Sequence, residues 1–155
     1  MTVFTAPESP GLKSSLGSLF LAGGITGCPD WQQKMLELVV PQVPSSVEIY
    51  NPRRADFDTS NPAMSNQQIT WEYWLLRRAR HILFWFPAET VCPITLFELG
   101  AAMERRTHHL YIGCHPDYPR RYDVEMQTQL FYAPAVMEIS STVEELAARV
   151  VKALG

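Results

Sequence analysis

The stretch that decides the fold is residues 81–106, HILFWFPAETVCPITLFELGAAMERR. It opens with a continuous β-prone apolar run, which is typical of a central strand covered on both faces. Pro87 ends that run. Residues 93–106 are predicted to form a helix, because proline suits a first helical turn and the terminal arginine pair suits a helix C-terminus. A buried strand followed by a largely apolar helix predicts one βα unit of a parallel sheet.

The alternation of strand-like runs and helix-length segments continues on both sides of this stretch. Five rounds predict one doubly wound α/β domain, with a single, mostly parallel five-stranded sheet and helices on both faces, of the flavodoxin or Rossmann type. Ligands of such folds bind outside the carboxyl ends of the strands, so we expect the site in the loops after residues 22, 50, 86 and 113. The predicted strands are residues 19–22, 47–50, 81–86, 109–113 and 136–139, and the predicted helices are residues 30–40, 67–79, 93–106, 124–131 and 142–154.

The N-terminal segment differs from the rest of the chain. Residues 1–17 are rich in Pro, Ser and Gly and show no sustained periodicity. Such composition predicts a flexible arm. We therefore place the folded domain at residues 18–155.

Composition excludes several classes of protein. A chain of 155 residues can bury a substantial core without disulfides or metals. Thirteen basic against sixteen acidic residues leave no excess positive charge for a nucleic acid polymer. No apolar run approaches the ~18 residues that a membrane-spanning helix needs. Three widely spaced cysteines, without a signal-like N-terminus, favour a reducing cytoplasm.

Metal and thiol chemistry find little support in the sequence. His108, His109, His115 and Cys114 do not have the spacing of a zinc site, so we expect no metal. Cys92 lies near a predicted helix N-terminus, which could acidify its thiol, but no histidine partner is identifiable. A nucleophilic cysteine stays a minor alternative.

Glu98 is the strongest candidate for a functional residue. It is the only charged side chain in residues 94–103, ITLFELGAAM, so its carboxylate must be drawn into the core with the helix. A buried carboxylate is costly unless it is neutral, paired or hydrogen-bonded. A structural glutamate is the alternative. Because the helix begins at the carboxyl end of a central strand, we expect Glu98 at the mouth of the ligand cleft.

A glycine-rich turn follows the first predicted strand. Gly23, Gly24 and Ile25 belong to the run GGITG, which would allow positive φ angles and close approach of a ligand to the backbone. The run is neither GxGxxG nor a P-loop, so dinucleotides and nucleoside triphosphates lose support. A tight turn without a ligand is the alternative.

Trp71 and Glu72 are predicted to lie at the start of the second helix. An acidic residue in a first turn is favourable to the helix dipole, and tryptophan is often a core residue, so both could be structural. A second carboxylate near Glu98 would nevertheless provide the pair that attack on an anomeric carbon requires.

The loop after the second predicted strand carries polar residues. Arginines in this loop could bind a phosphate, and Asn or Asp a sugar hydroxyl. A solvated loop with incidental charges is the alternative. The residues concerned are Asn51, Arg53, Arg54, Asp56 and Asp58.

These motifs together resemble the nucleoside 2-deoxyribosyltransferases and related nucleotide N-hydrolases. The resemblance is carried by FLAGGITG, NPRR, WE and PITLFELGAA, and it runs over residues 18–103, with weaker agreement over residues 111–126. It implies attack of a helix-borne glutamate on the anomeric carbon of a 2′-deoxynucleoside, with release of the base and a covalent deoxyribosyl-enzyme. A second base then collects the sugar, without metal or organic cofactor.

The resemblance also implies roles for individual residues. Glu98 takes the nucleophile's place, and Glu72 takes that of an upstream aspartate, one methylene shorter. Many members carry an aspartate six residues before the nucleophile, against the sugar hydroxyls, whereas Cys92 stands there in this chain. Gly23, Gly24 and Ile25 correspond to the lining of the sugar and base site. Family members form homo-oligomers, so residues from Asp123 to Gln127 are expected to help complete a neighbour's site.

The sequence thus predicts a deoxyribosyltransferase acting on small nucleosides and nucleobases. The predicted mechanism requires Glu98 to face C1 of the sugar as an ionised carboxylate, with Glu72 managing protons and Trp71 forming an aromatic wall. Two alternatives stay open. One is an N-glycoside hydrolase of 2′-deoxynucleosides or their 5′-monophosphates, with Arg53 and Arg54 on the phosphate. The other is a nucleotide-binding module without catalysis, which the Cys92 departure favours.

Overall fold

The computed structural model describes residues 1–11 and 17–155, which form one parallel sheet with helices on both faces. Within these residues the sheet has six strands in the order β1-β3-β2-β4-β5-β6, all parallel. The strands are β1 (Thr2–Thr5), β2 (Ser18–Gly23), β3 (Glu48–Asn51), β4 (His81–Phe86), β5 (His109–Cys114) and β6 (Ile139–Ser140). The helices are α1 (Trp31–Val39), α2 (Pro62–Arg78), α3 (Pro93–Arg105), α4 (Arg121–Tyr132) and α5 (Val143–Leu154).

The strand order confirms the predicted doubly wound α/β fold. From β2 the chain moves to β3 on one side, and it then crosses to β4 on the other side of β2. Apart from β1, this is the flavodoxin-like order 2-1-3-4-5. The connections therefore diverge at the carboxyl ends of β2 and β4, which is where ligands of such folds bind.

Strand β1 is the one strand beyond the five predicted, and it corrects the expectation of a flexible arm over residues 1–17. Thr2–Thr5 pairs with Glu48–Asn51 along the whole of β3 and forms one edge of the sheet. The sequence TVFT consists of three β-branched residues and one aromatic residue, which fit a strand, although the prolines, serines and glycines that follow dominate the composition of the segment. The part of the predicted arm at residues 12–16 lies outside the described residues.

The second helix also differs from its prediction. It begins at Pro62 rather than at Gln67, and the Asn61 side chain caps it by accepting hydrogen bonds from the backbone N–H groups of Ala63 and Met64. Asparagine at the N-cap followed by proline at the first position is a recognised start signal, which the polar composition of residues 51–66 hid. Glu72 therefore lies in the third turn of α2, not in its first.

The core consists of two apolar layers, one on each face of the sheet. Alternate residues of β4 divide between them: Phe84 packs against α2, α3 and α4, whereas Leu83 packs against α1 and α5. This alternation follows from the two-residue period of a strand and explains why β4 reads as a continuous apolar run. Among the described residues, no helix combines the length and apolarity needed to cross a membrane.

Candidate active site

A cavity of about 690 Å³ lies between α2 and α3, at the carboxyl ends of β2, β3 and β4. Its volume is within the range of small-molecule sites, about 300–1,000 Å³. Three of the four loops expected to form the site contribute to its wall. The predicted site residues among its lining are Gly23, Gly24, Ile25, Arg54, Glu72, Cys92 and Glu98.

Glu98 lines the cavity from the second turn of α3. None of the described residues donates a hydrogen bond to its carboxyl group, and none of their cationic side chains forms an ion pair with it. Burial, together with the negative charge of Glu72, raises the pKa of Glu98 to about 8. This raised pKa favours the protonated form of Glu98 at neutral pH, whereas the mechanism predicted from the sequence requires the ionised form.

Glu72 faces the same cavity from α2, and its carboxylate has a defined partner. Gln68, one turn earlier on the same helix, donates a hydrogen bond of 2.8 Å from Nε2 to Glu72 Oε1. Burial raises the pKa of Glu72 above its ordinary value, while this hydrogen bond opposes the rise. The two carboxyl groups therefore differ: Glu72 accepts a hydrogen bond that favours its charged form, whereas no described residue donates one to Glu98.

The glycine turn lines the cavity, but the protein itself requires its first two glycines. A Cβ on Gly23 would lie 2.5 Å from both the Trp31 ring and the Trp85 carbonyl oxygen, and one on Gly24 would lie 2.7 Å from Cys92 Sγ. Only Gly27 of this turn has a positive φ, +73°. Glycine is therefore required at positions 23 and 24 because a side chain would clash with neighbouring atoms, and not because the backbone has a positive φ.

Cys92 forms part of the wall at the N-terminus of α3. Its backbone is left-handed, with φ +49°, and burial raises the pKa of its thiol. The thiol contacts Thr90 Oγ1 at 3.1 Å and the Thr90 carbonyl at 3.4 Å. Cys92 therefore presents a neutral, already partnered thiol, which cannot replace an aspartate as an acceptor of charge-assisted hydrogen bonds.

Arg53 lies outside the cavity lining and holds the glycine turn from behind. Its Nε donates to Gln32 Oε1 at 2.8 Å, and its Nη2 donates to the Pro29 carbonyl at 2.9 Å and, at longer distances, to those of Ile25 and Cys28. Asn51 Oδ1 accepts a 3.0 Å hydrogen bond from the backbone N–H of Arg53. Asn51 and Arg53 were predicted to bind a ligand. In the structure they instead support the loops around the cavity.

Two other predicted residues also lie outside the lining. Asp58 accepts hydrogen bonds from the backbone and hydroxyl of Ser60 within its own turn, because an aspartate in a turn bonds most readily to nearby backbone. Trp71 packs against Phe20, and its indole N–H donates to the Glu8 carbonyl at 2.7 Å. Since Trp71 and Glu72 are neighbours on a helix, their side chains diverge, so Trp71 cannot form the expected aromatic wall.

Several lining residues were not predicted from the sequence. Gln68 is one of them, although its i, i+4 spacing to Glu72 is the signal that places the two side chains together. Five others are apolar side chains at the rim of the cavity, and three-dimensional proximity was needed to find them. These rim residues are Phe57, Ile69, Tyr73, Ile94 and Phe97.

The arrangement places two carboxyl groups with different proton affinities in an apolar cavity. Such a pair can combine nucleophilic attack with proton transfer, as hydrolysis or transfer of a glycosyl group requires. Among residues 1–11 and 17–155, no three His, Cys, Asp or Glu side chains converge to hold a metal ion. Fold and site together define a flavodoxin-like α/β protein with a paired-carboxyl cavity at its switch point.

Comparison with protein families agrees with this class. The model of the family described as "Nucleoside 2-deoxyribosyltransferase like" matches residues 17–118, more than half of the chain. The protein belongs to this family. The matched segment includes β2 to β5, α2 and α3, and hence both carboxyl groups of the cavity. No curated protein matches the chain.

Proposed function

We propose that the protein is a nucleoside 2-deoxyribosyltransferase, which moves a 2-deoxyribosyl group between nucleobases through a covalent intermediate on Glu98. The observation that carries this proposal is the position of Glu98 in the cavity wall, without a hydrogen-bond partner in residues 1–11 and 17–155 and beside the oriented carboxylate of Glu72. A structural glutamate would be expected to have its lone pairs satisfied by the protein. Family membership favours the same chemistry.

In the first step, a Glu98 oxygen forms a bond to C1 of the sugar while the bond from C1 to the base nitrogen breaks. The carboxyl pair starts with one proton and one negative charge. The proton passes from Glu98, through Glu72, to the leaving base, so that the base departs neutral and Glu72 keeps the charge. In the second step, the acceptor base attacks C1, Glu98 departs as a carboxylate, and the proton lost by the acceptor returns to the pair.

The two arginines predicted to bind a 5′-phosphate are both engaged by other groups of the protein, so a nucleoside without that phosphate is the substrate we favour. Arg53 is engaged by backbone carbonyls and Gln32, away from the cavity. Arg54 lines the cavity, but its guanidinium binds both oxygens of Asp56 and also Gln67 Oε1. Neither arginine offers a free charge beside the carboxyl pair, and a phosphate near Glu72 and Glu98 would meet like charge.

A second copy of the chain is proposed to cover the rim of the cavity. Phe97 is 76% exposed, and Ile69 and Ile94 are nearly as exposed. On α4, Tyr122, Met126 and Leu130 form an exposed stripe at four-residue spacing, which spans the Asp123 to Gln127 segment. Self-association through these two faces would bury both exposed apolar surfaces.

The test is an exchange assay with 2′-deoxyadenosine as donor and cytosine as acceptor. Deoxycytidine should form in the wild type and in Glu104→Gln, an exposed change on the same helix, but not in Glu98→Gln. Mass spectrometry after incubation with a 2-fluoro-deoxyribosyl donor should show an adduct on the peptide that contains Glu98. Release of adenine at a rate independent of cytosine would instead identify a hydrolase, and no turnover with no adduct would identify a binding module.

A further inference from the structure

Gln68 is the one residue that hydrogen-bonds to either member of the carboxyl pair, among the residues that the structure describes. The residue is only 7% exposed. Nε2 donates to Glu72 Oε1 and to the Pro52 carbonyl, each at 2.8 Å, so both amide hydrogens are used. Because both neighbours are acceptors, the opposite amide orientation would set oxygen against oxygen, and the observed orientation is the one that chemistry allows.

This orientation leaves the other end of the amide without a partner. Gln68 Oε1 is fully buried and accepts no hydrogen bond. A buried unsatisfied oxygen costs free energy that an apolar side chain of the same size would not. A role in holding Glu72 would explain why this cost is tolerated. The Gln68 amide links the Glu72 carboxylate to the backbone of the loop after β3.

The other charged and titratable groups in the cavity lining do not hydrogen-bond to Glu72 or Glu98. Arg54 is bonded to Asp56, Arg77 lies over the Tyr73 ring, and the His108 ring contacts the Ala79 carbonyl. Arg105 and Cys92 complete the set of such groups in the lining, and neither hydrogen-bonds to Glu72 or Glu98. Gln68 is thus what distinguishes the two carboxyl groups.

We propose that Gln68 is a positioning residue, which fixes the Glu72 carboxylate in its charged form and thereby leaves the pair's single proton on Glu98. The kinetic consequence rests on the proposed function, whereas the effect on the two carboxyl groups does not. Removal of the amide should make Glu72 easier to protonate. A more neutral Glu72 should in turn make Glu98 easier to ionise, because the charge of Glu72 is one cause of its raised pKa.

The experiment is a pH titration of the glutamate Cδ signals by carbon-13 NMR, with Glu72→Gln and Glu98→Gln used for assignment. In Gln68→Met, the titration midpoint of Glu72 should rise and that of Glu98 should fall. The gap, which is the difference in pH between these two midpoints, should narrow by at least about half a pH unit. Gln68→Asn, whose shorter amide cannot reach Glu72, should act in the same direction and serves if the Met variant does not fold. Gln33→Met is the matched control, since Gln33 Nε2 donates to Glu37 Oε1 at 2.9 Å on the exposed face of α1.

An unchanged gap in both folded Gln68 variants would overturn the inference, whatever the enzyme does. If the exchange assay succeeds, Gln68→Met should lower kcat by about 10- to 100-fold, with a smaller change in KM, because misplacement of a catalytic group affects the chemical step most. A narrowed gap in a protein without exchange activity would support the role of Gln68 and refute the transferase proposal. The two failures are therefore distinguishable.

Discussion

Glu72 and Glu98 face one cavity from neighbouring helices, and the negative charge of Glu72 helps to raise the pKa of Glu98 to about 8. Two such groups titrate as a pair, and the pair holds one proton between its two apparent pKa values. Transfer to a neutral base uses one proton to release the first base and regains it from the second. The singly protonated pair is therefore the state that the proposed reaction requires.

The first prediction concerns the pH dependence of catalysis. We expect kcat/KM to follow a bell-shaped curve with its alkaline limb near pH 8, where Glu98 loses the shared proton. The acid limb should lie above the ordinary range of a glutamate, because burial raises the pKa of Glu72. Initial rates of base exchange from pH 5 to 9.5 give the profile. A rate that keeps rising through pH 8 would show that Glu98 must be ionised before the substrate binds.

The second prediction concerns the stability cost of Glu98. The folded protein binds this proton more tightly than the unfolded chain does, with a pKa of about 8 against 4.5. The wild type should therefore lose stability as the pH rises from about 4.5 to 8, and Glu98→Gln should lose less, since only the contribution of Glu72 remains. At pH 9 we expect the variant to be more stable by roughly 2–4 kcal/mol, and the difference to vanish near pH 4.

Urea unfolding at both pH values checks this stability prediction. Glu104→Gln is the matched control: it removes an exposed carboxyl group near the end of the same helix and keeps Glu98, so its stability should follow that of the wild type at both pH values. Equal stabilities of Glu98→Gln and the wild type at pH 9 would mean that burial and the charge of Glu72 do not destabilise the Glu98 carboxylate.

The sequence predicted the layers of the fold and the position of Glu98 for the same physical reason. A continuous apolar run predicts a buried strand, and a single charge in an apolar helix must either be satisfied or face a cavity. Such local signals do not report which way a side chain turns. Trp71 and Glu72 are adjacent, yet one packs under the N-terminal segment and the other faces the cavity. Arg53 and Arg54 diverge in the same way.

The third prediction concerns self-association. If the α4 stripe and the cavity rim bury each other between copies, the wild type should have a mass in solution above the 17.6 kDa of one chain. Leu130→Glu, which places a charge in the stripe, should shift it toward that mass and lower exchange activity. Light scattering coupled to gel filtration measures the mass. Lys152→Glu, on an exposed position of α5, is the control, and a monomeric wild type that retains full activity would contradict the covered rim.

The fourth prediction tests whether the glycine turn is required by packing against the cavity wall. In Gly24→Ala the new methyl group would meet Cys92 Sγ at 2.7 Å, Pro87 Cγ at 2.9 Å and Cys28 Sγ at 3.0 Å, so we expect a loss of about 1–3 kcal/mol in the free energy of unfolding. Gly100→Ala is the matched control, because its methyl group would meet nothing within 4 Å and a helical alanine should add up to about 1 kcal/mol.

The coupling between Gly24 and Cys92 makes this last prediction specific. Cys92→Ala removes one of the three atoms that the new methyl group meets, so Gly24→Ala should cost less in that background than in the wild type. Urea unfolding of the four proteins in the cycle gives the interaction energy, for which we expect about 0.5–1.5 kcal/mol. Strict additivity would mean that the thiol does not press on the turn. The cavity wall would then be looser at Cys92 than the packing of Gly24 implies.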